Sequence, residues 1–143
     1  MQGAWINLKG YDFNNQTVTV QLATGLYRDP LVAYGTILGL TGPGSLIFRG
    51  DPSNPDNVVI SPLAGNPIAI AYGAMCSLEG LALDSAGVEP SPGNVLGGAD
   101  LIAIGQRASM RIKNIVFHDG RGCGHIAIAF GGAHRRARSS AAE

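Results

Sequence analysis

The sequence predicts an all-β fold, a single-stranded right-handed parallel β-helix of about four coils, and three observations predict it. Glycine and proline, 21 and 8 of the 143 residues, punctuate the chain every few positions and favour short strands over long helices. Apolar residues alternate with others, or cluster, in runs of strand length. One block of those runs recurs further along the chain, which marks a stacked array whose units bury their inward side chains only against each other.

The first strand is expected at Thr17–Leu22, where Val18, Val20 and Leu22 share one face and polar residues take the other; it ends at a turn, Ala23-Thr24-Gly25. Leu46–Phe48 follows, closed by the turn-rich run Gly50 to Asp56. Further strands are expected at Val58–Ile60, Ile68–Tyr72, Leu78–Leu83, Leu101–Ile104, Met110–Phe117 and Ile126–Phe130, with a Gly/Pro-rich excursion from Ser85 to Gly98. No segment shows the periodicity of an amphipathic helix.

The clearest repeat sets Ala69–Ser85 over Ala103–Asp119. Cys76 then meets Met110, Leu78 meets Ile112, Leu81 meets Ile115 and Leu83 meets Phe117, while Gly80 meets Asn114, two residue types that tolerate positive φ. A weaker earlier copy places Leu46–Gly50 over Leu81–Ser85, and a later one places Ile126–Ile128 over Ile102–Ile104. The unequal shifts imply loops of varying length on a constant scaffold. The small residues Ala69, Ala71, Ala103, Ala127 and Ala129 are expected to face a narrow interior. Residues 1–16 read as a cap or lead-in in which Trp5, Ile6 and Leu8 shield one end. Residues 17–132 form the helix domain, and the basic stretch 133–143 is expected to be a disordered tail.

Composition narrows the partners. Ten basic and ten acidic residues give a net charge of zero, so nothing steers the chain towards nucleic acid. Charged residues make up only 14% of the chain, which points to a surface partly covered in a homo-oligomer or larger assembly. No apolar run is long enough to span a membrane, and the N-terminus lacks the pattern of a signal peptide. Two cysteines, Cys76 and Cys123, make neither a disulfide framework nor a zinc set, and read as a core thiol and a turn thiol. No metal site or cofactor is expected: Asp51, Asn54, Asp56 and Asn57 form a turn sequence, and the Gly42–Gly44 and Gly120–Gly124 runs lack a nucleotide fingerprint.

The run Thr17–Tyr27 resembles the first strand of the pectin-lyase-like parallel β-helices. Leu40–Gly44, Ile47–Gly50 and Val58–Ile60 look like its continuation in phage and prophage tail proteins, and Leu78–Leu83 and Ile112–Phe117 are similar to the coil motif of that superfamily. The resemblance covers residues 17 to about 130. It implies a scaffold shared by polysaccharide lyases, hydrolases and phage tailspikes, with virion or extracellular use and a polysaccharide as partner. The usual helical cap upstream is missing and the stack stops early, as a fragment or a module needing a partner would.

The repeats align Arg49, Asp84 and His118 on successive coils, with Asp119 and Arg121 just beyond. Parallel strands lie about 4.8 Å apart, so such a row can meet, and an acid, an imidazole and a guanidinium can serve acid–base chemistry on a sugar acid. Strand ends are also routinely charged as they enter solvent, and no complete catalytic set is present. If the chain is an enzyme, Asp84, His118, Asp119 and Arg121 are its catalytic candidates. Arg49 and Lys113 are binding candidates, Lys113 as the exposed cross-strand partner of Glu79. Otherwise the chain is a structural module that contacts glycans. The aromatics Trp5, Tyr11, Tyr27, Tyr34 and Tyr72 are scattered along the chain and are expected mostly in the core or cap.

Overall fold

Each passage of the chain lays down strands that pair, in parallel, with those of the passage before. The computed structural model describes residues 7–86 and 100–118 and the strand 126–129. Among the described residues there are ten strands: β1 (Val18–Gln21), β2 (Gly25–Tyr27), β3 (Leu31–Tyr34), β4 (Leu46–Arg49), β5 (Val58–Ile60), β6 (Ile68–Ala71), β7 (Met75–Leu83), β8 (Ile102–Gly105), β9 (Ser109–Phe117) and β10 (Ile126–Ala129). A short 3-10 turn, Pro55–Asn57, leads into β5. The fold is therefore all-β. Among the described residues no helix is long and apolar enough to cross a membrane.

Two parallel sheets result. In one, β1, β4, β7 and β9 pair in succession. The same sheet carries β2 on β5 and β5 on the second half of β7. The other sheet runs β3, β6, β8, β10. Sequence repeats translate directly into register. Cys76 pairs with Met110, Leu78 with Ile112, Leu81 with Ile115 and Leu83 with Phe117, as the main repeat predicts. Ile126 pairs with Ile102, as the later copy predicts. The earlier copy is corrected: β4 pairs with the first half of β7, Phe48 on Leu78, and not with Leu81–Ser85. The loop between β4 and β5 accounts for the difference, because the passage that β7 completes in one strand is split there into two strands and a turn.

The kink in the long strands is visible in the backbone. Gly80 and Asn114, equivalent in the repeat, have φ of 66° and 51°. Gly50 and Gly80 also let the β4–β5 loop pack closely. Asp51 donates its N–H to the Gly80 carbonyl at 2.8 Å, and a Cβ on Gly80 would lie 2.5 Å from Pro52 N.

The interior is a column of large side chains. Leu46, Phe48, Val58, Ile60, Ile68, Ile70, Cys76, Leu78, Leu81, Leu83 and Ile102 are all buried. Each fully buried aliphatic or aromatic side chain contributes about 1.5–3 kcal/mol. Burial pushes the Cys76 thiol up to about 12, so it behaves as a core residue, as expected. Phe13 belongs to the buried core cluster and Leu8 packs against it.

The interior corrects one expectation. In β6 it is Ile68 and Ile70 that are buried, while Ala69 and Ala71 are half-exposed. Ala103 is half-exposed as well, beside buried Ile102. An Ile-Ala-Ile-Ala run is apolar on both faces, so its alternation does not say which face turns in. Isoleucine removes more area from water and takes the inside. The side chains of Ala127 and Ala129, with Trp5, Ile6, Cys123 and the tail 133–143, lie outside the described residues. Two strands, β2 and β3, went unseen in the sequence; β2 falls where the turn at Gly25 was expected.

Candidate functional site

Alternation decides which side chains the first sheet presents outwards. Inward Phe48 and Leu78 leave Arg49 and Glu79 facing out, and register extends that row to Gln21 on one side and Lys113 on the other. Glu79 is its centre. One carboxylate oxygen accepts from Arg49 Nε at 2.8 Å and the other from Lys113 Nζ at 3.0 Å. Glu79 is only 12% exposed at the side chain, against 39% for Arg49 and 71% for Lys113. Lys113 first, then Arg49, hold its carboxyl below the ordinary glutamate value. The predicted Glu79–Lys113 pair is thus present, and Arg49 completes it as a triad. Gln21 ties the row down, donating to the carbonyls of Arg49 and Gly50 at 3.0 and 2.8 Å.

A second outward row lies two residues earlier on each strand: Thr19, Ile47, Ser77 and Arg111. Ser77 donates to the Pro43 carbonyl at 2.7 Å, which draws the Gly42–Gly44 loop against this row. Gly44 and the Arg111 guanidinium are then neighbours, 3.2 Å separating Nη1 from where a Cβ on Gly44 would stand. Between the loop and the two rows lies a cleft of about 590 Å³ lined by Gly44, Ile47, Arg49, Ser77, Arg111 and Lys113, with Glu79 in its wall. Three cations and one carboxylate leave a local excess of two positive charges (three minus one). Among the described residues Arg111 has no ion-pair partner.

The catalytic candidates are distributed differently from the expected row. Residues following the β2, β5, β7 and β9 ends stack as Arg28, Ser61, Asp84 and His118. Asp84 and His118 share that row, as expected; Arg49 does not, because its true partner in β7 is Glu79. Arg28 donates to the Ser61 carbonyl at 3.2 Å, and Ser61 to Asp84 Oδ2 at 3.2 Å. Asp84 Oδ1 also accepts from the Ala86 amide at 2.8 Å. His118 turns to a different acid, with its Nε2 2.6 Å from Asp56 Oδ1. Asp84 and His118 are therefore adjacent rungs, each engaged with another partner. Asp119 and Arg121 lie outside the described residues.

The turn before β5 is occupied by its own hydrogen bonds. Asp51 accepts from Asn57 at 2.8 Å and from the Ser53 and Asn54 amides at 2.9 and 3.1 Å, and these bonds lower its pKa, Asn57 most, then Asn54, then Ser53. Sequence reasoning missed Arg28, Ser61 and Arg111, and assigned Asp56 only to a turn. Arg111 was available from the main repeat, which sets it beside Ser77; Arg28 and Ser61 depended on β2 and on the register of β5, and Asp56 on how its turn folds over β9.

The aromatics also depart from expectation. Tyr11, Tyr34 and Tyr72 are exposed, and Tyr34 and Tyr72 form an edge-to-face pair with ring centroids 5.7 Å apart. Tyr27 is half-buried and donates its hydroxyl to the Ala23 carbonyl at 2.8 Å. No family model, curated protein or solved structure matches the chain.

Proposed function

We propose that the chain is a right-handed parallel β-helix of about four coils, of the pectin-lyase-like kind, and that it serves as a non-enzymatic module of a phage-tail-like or surface protein. Its outer face contacts an anionic glycan. The observation that carries this reading is the cleft whose Glu79 bridges Arg49 and Lys113 while Arg111 stands beside them. Glu79 fixes two flexible cations in place before any ligand arrives, which reduces the ordering cost of binding. Arg111 and Lys113, two residues apart on one strand, are spaced about 6.6 Å along it. That spacing suits successive carboxylates or sulfates of a sugar chain better than a single small anion.

Assembly belongs to the same reading. Ile112 continues the column of Leu78, yet it is 41% exposed where Leu78 is fully buried. A neighbouring subunit covering that end would remove its apolar surface from water.

The test is retention on polygalacturonate in affinity electrophoresis, with dextran as the uncharged control. Wild type is expected to be retarded by polygalacturonate alone, less so as salt rises, and Arg111→Ala to weaken the interaction about tenfold. Equal mobility of wild type and Arg111→Ala in the acidic gel would remove the cleft from the account.

A polysaccharide lyase or hydrolase is the second reading, favoured by Asp84 and His118 standing on adjacent rungs. It would use Asp84, His118, Asp119 and Arg121. On a panel of acidic and neutral polysaccharides, the structural reading predicts no turnover by wild type; turnover lost in both Asp84→Ala and His118→Ala would establish the enzyme instead.

A further inference from the structure

A second surface, on the other sheet, has the chemistry of a sugar-stacking site. Where β3, β6 and β8 end, the chain turns a corner through left-handed backbone on three successive rungs. Register places Gly35, Tyr72 and Gln106 side by side there, with φ of 84°, 57° and 39°. Gly73 donates its N–H to the Gln106 carbonyl at 3.0 Å, which holds the neighbouring rungs together. Glycine suits such a position; a tyrosine there is a bulky residue in a conformation that L side chains rarely adopt. Tyr72 is nonetheless present, with 61% of its surface in water, and so contributes little to the core in return. Backbone strain of this sort concentrates where a side chain has a task.

Its neighbours suggest the task. The Tyr34 ring, 47% exposed, meets the Tyr72 ring at 81°. Two rings nearly at right angles form an aromatic corner. Polar donors stand on the same and the next rung. The Lys9 ammonium donates to the Tyr34 carbonyl at 3.2 Å, and exposed Gln106 and Arg107 follow Tyr72 and Gly73 on the next rung. A dry protein–protein contact prefers a continuous apolar centre depleted of charge. Here the apolar part is two rings, each with a hydroxyl, bordered by an ammonium, an amide and a guanidinium. A pyranose chain complements that pattern: the C–H face of a ring packs on an aromatic face while its hydroxyls accept from the surrounding donors.

We infer that the Tyr34–Tyr72 corner is a binding site for a neutral pyranose chain, separate from the charged cleft. The site needs no charge on the ligand and does not depend on Arg49, Arg111 or Lys113.

Titration of the full chain with cellohexaose and with maltohexaose, followed by saturation-transfer NMR and calorimetry, tests the inference. Binding of at least one of them is expected, about tenfold weaker in Tyr34→Ala and in Tyr72→Gly and unchanged in Arg111→Ala. Tyr72→Gly removes the ring and relieves the backbone, so its melting temperature should equal or exceed that of wild type, which separates lost binding from lost folding. Tyr72→Phe should retain most of the affinity. Failure of both sugars to bind, or binding that is lost in Arg111→Ala but kept in the tyrosine variants, would overturn the site. So would sedimentation showing wild type to self-associate through Tyr72, with Tyr72→Gly monomeric.

Discussion

Glu79 sits between Arg49 and Lys113, and its protonation should be felt in stability. A carboxyl whose pKa is depressed by folding stabilises the native state above its unfolded value, 4.5, and loses that contribution as pH falls through the lower folded value. Glu79→Gln should therefore be less stable than wild type near neutral pH, with the gap closing as pH drops below about 4.5. Denaturant midpoints measured across that range check it; a gap that stays constant into acid would mean the triad adds nothing to folding. Lys113 is mostly in water, so its share of the triad is expected to be the more salt-sensitive.

At the scale of elements, the close approach of the β4–β5 loop to the kink of β7 is a demanding local feature. Gly80 combines a positive φ with backbone at 2.5–2.8 Å from any Cβ it might carry. Gly80→Ala should cost about 3 kcal/mol, the left-handed penalty and a steric displacement together, read as a lower denaturant midpoint. Asn114→Gly, at the equivalent kink one rung on, should be close to neutral. An alanine tolerated at Gly80 without loss would contradict the described packing. The equivalence of Gly80 and Asn114 was legible in the sequence because the main repeat contains no insertion between its two copies. The equivalence of Arg49 and Glu79 was not, because the loop after Gly50 changes the spacing and the hydrophobic pattern alone fits two alignments. Strand β2 escaped for a related reason: three residues containing a glycine carry no period of their own. The inward face of β6 was ambiguous because Ala and Ile are both apolar; volume, not polarity, decides it.

For the whole molecule, the repeat determines which residues become neighbours, and the loops determine what stands over them. The inner column was readable from alternation at β1, β7 and β9. The cleft was readable in part: Glu79 with Lys113 from the repeat, but not Arg49 in the same row, nor the Gly42–Gly44 loop that closes one side through Ser77. Long-range contacts made by loops leave no periodic trace in sequence. We propose that an acidic glycan meets this surface at the cationic cleft on the first sheet, and not at the Asp84–His118 row. Amide shift mapping by two-dimensional NMR with a galacturonate hexamer tests it most directly. Perturbations are expected to concentrate at Gly44, Ile47, Ser77 and Arg111–Lys113. Perturbations centred on Ser61, Asp84 and His118, or none at saturating ligand, would contradict it.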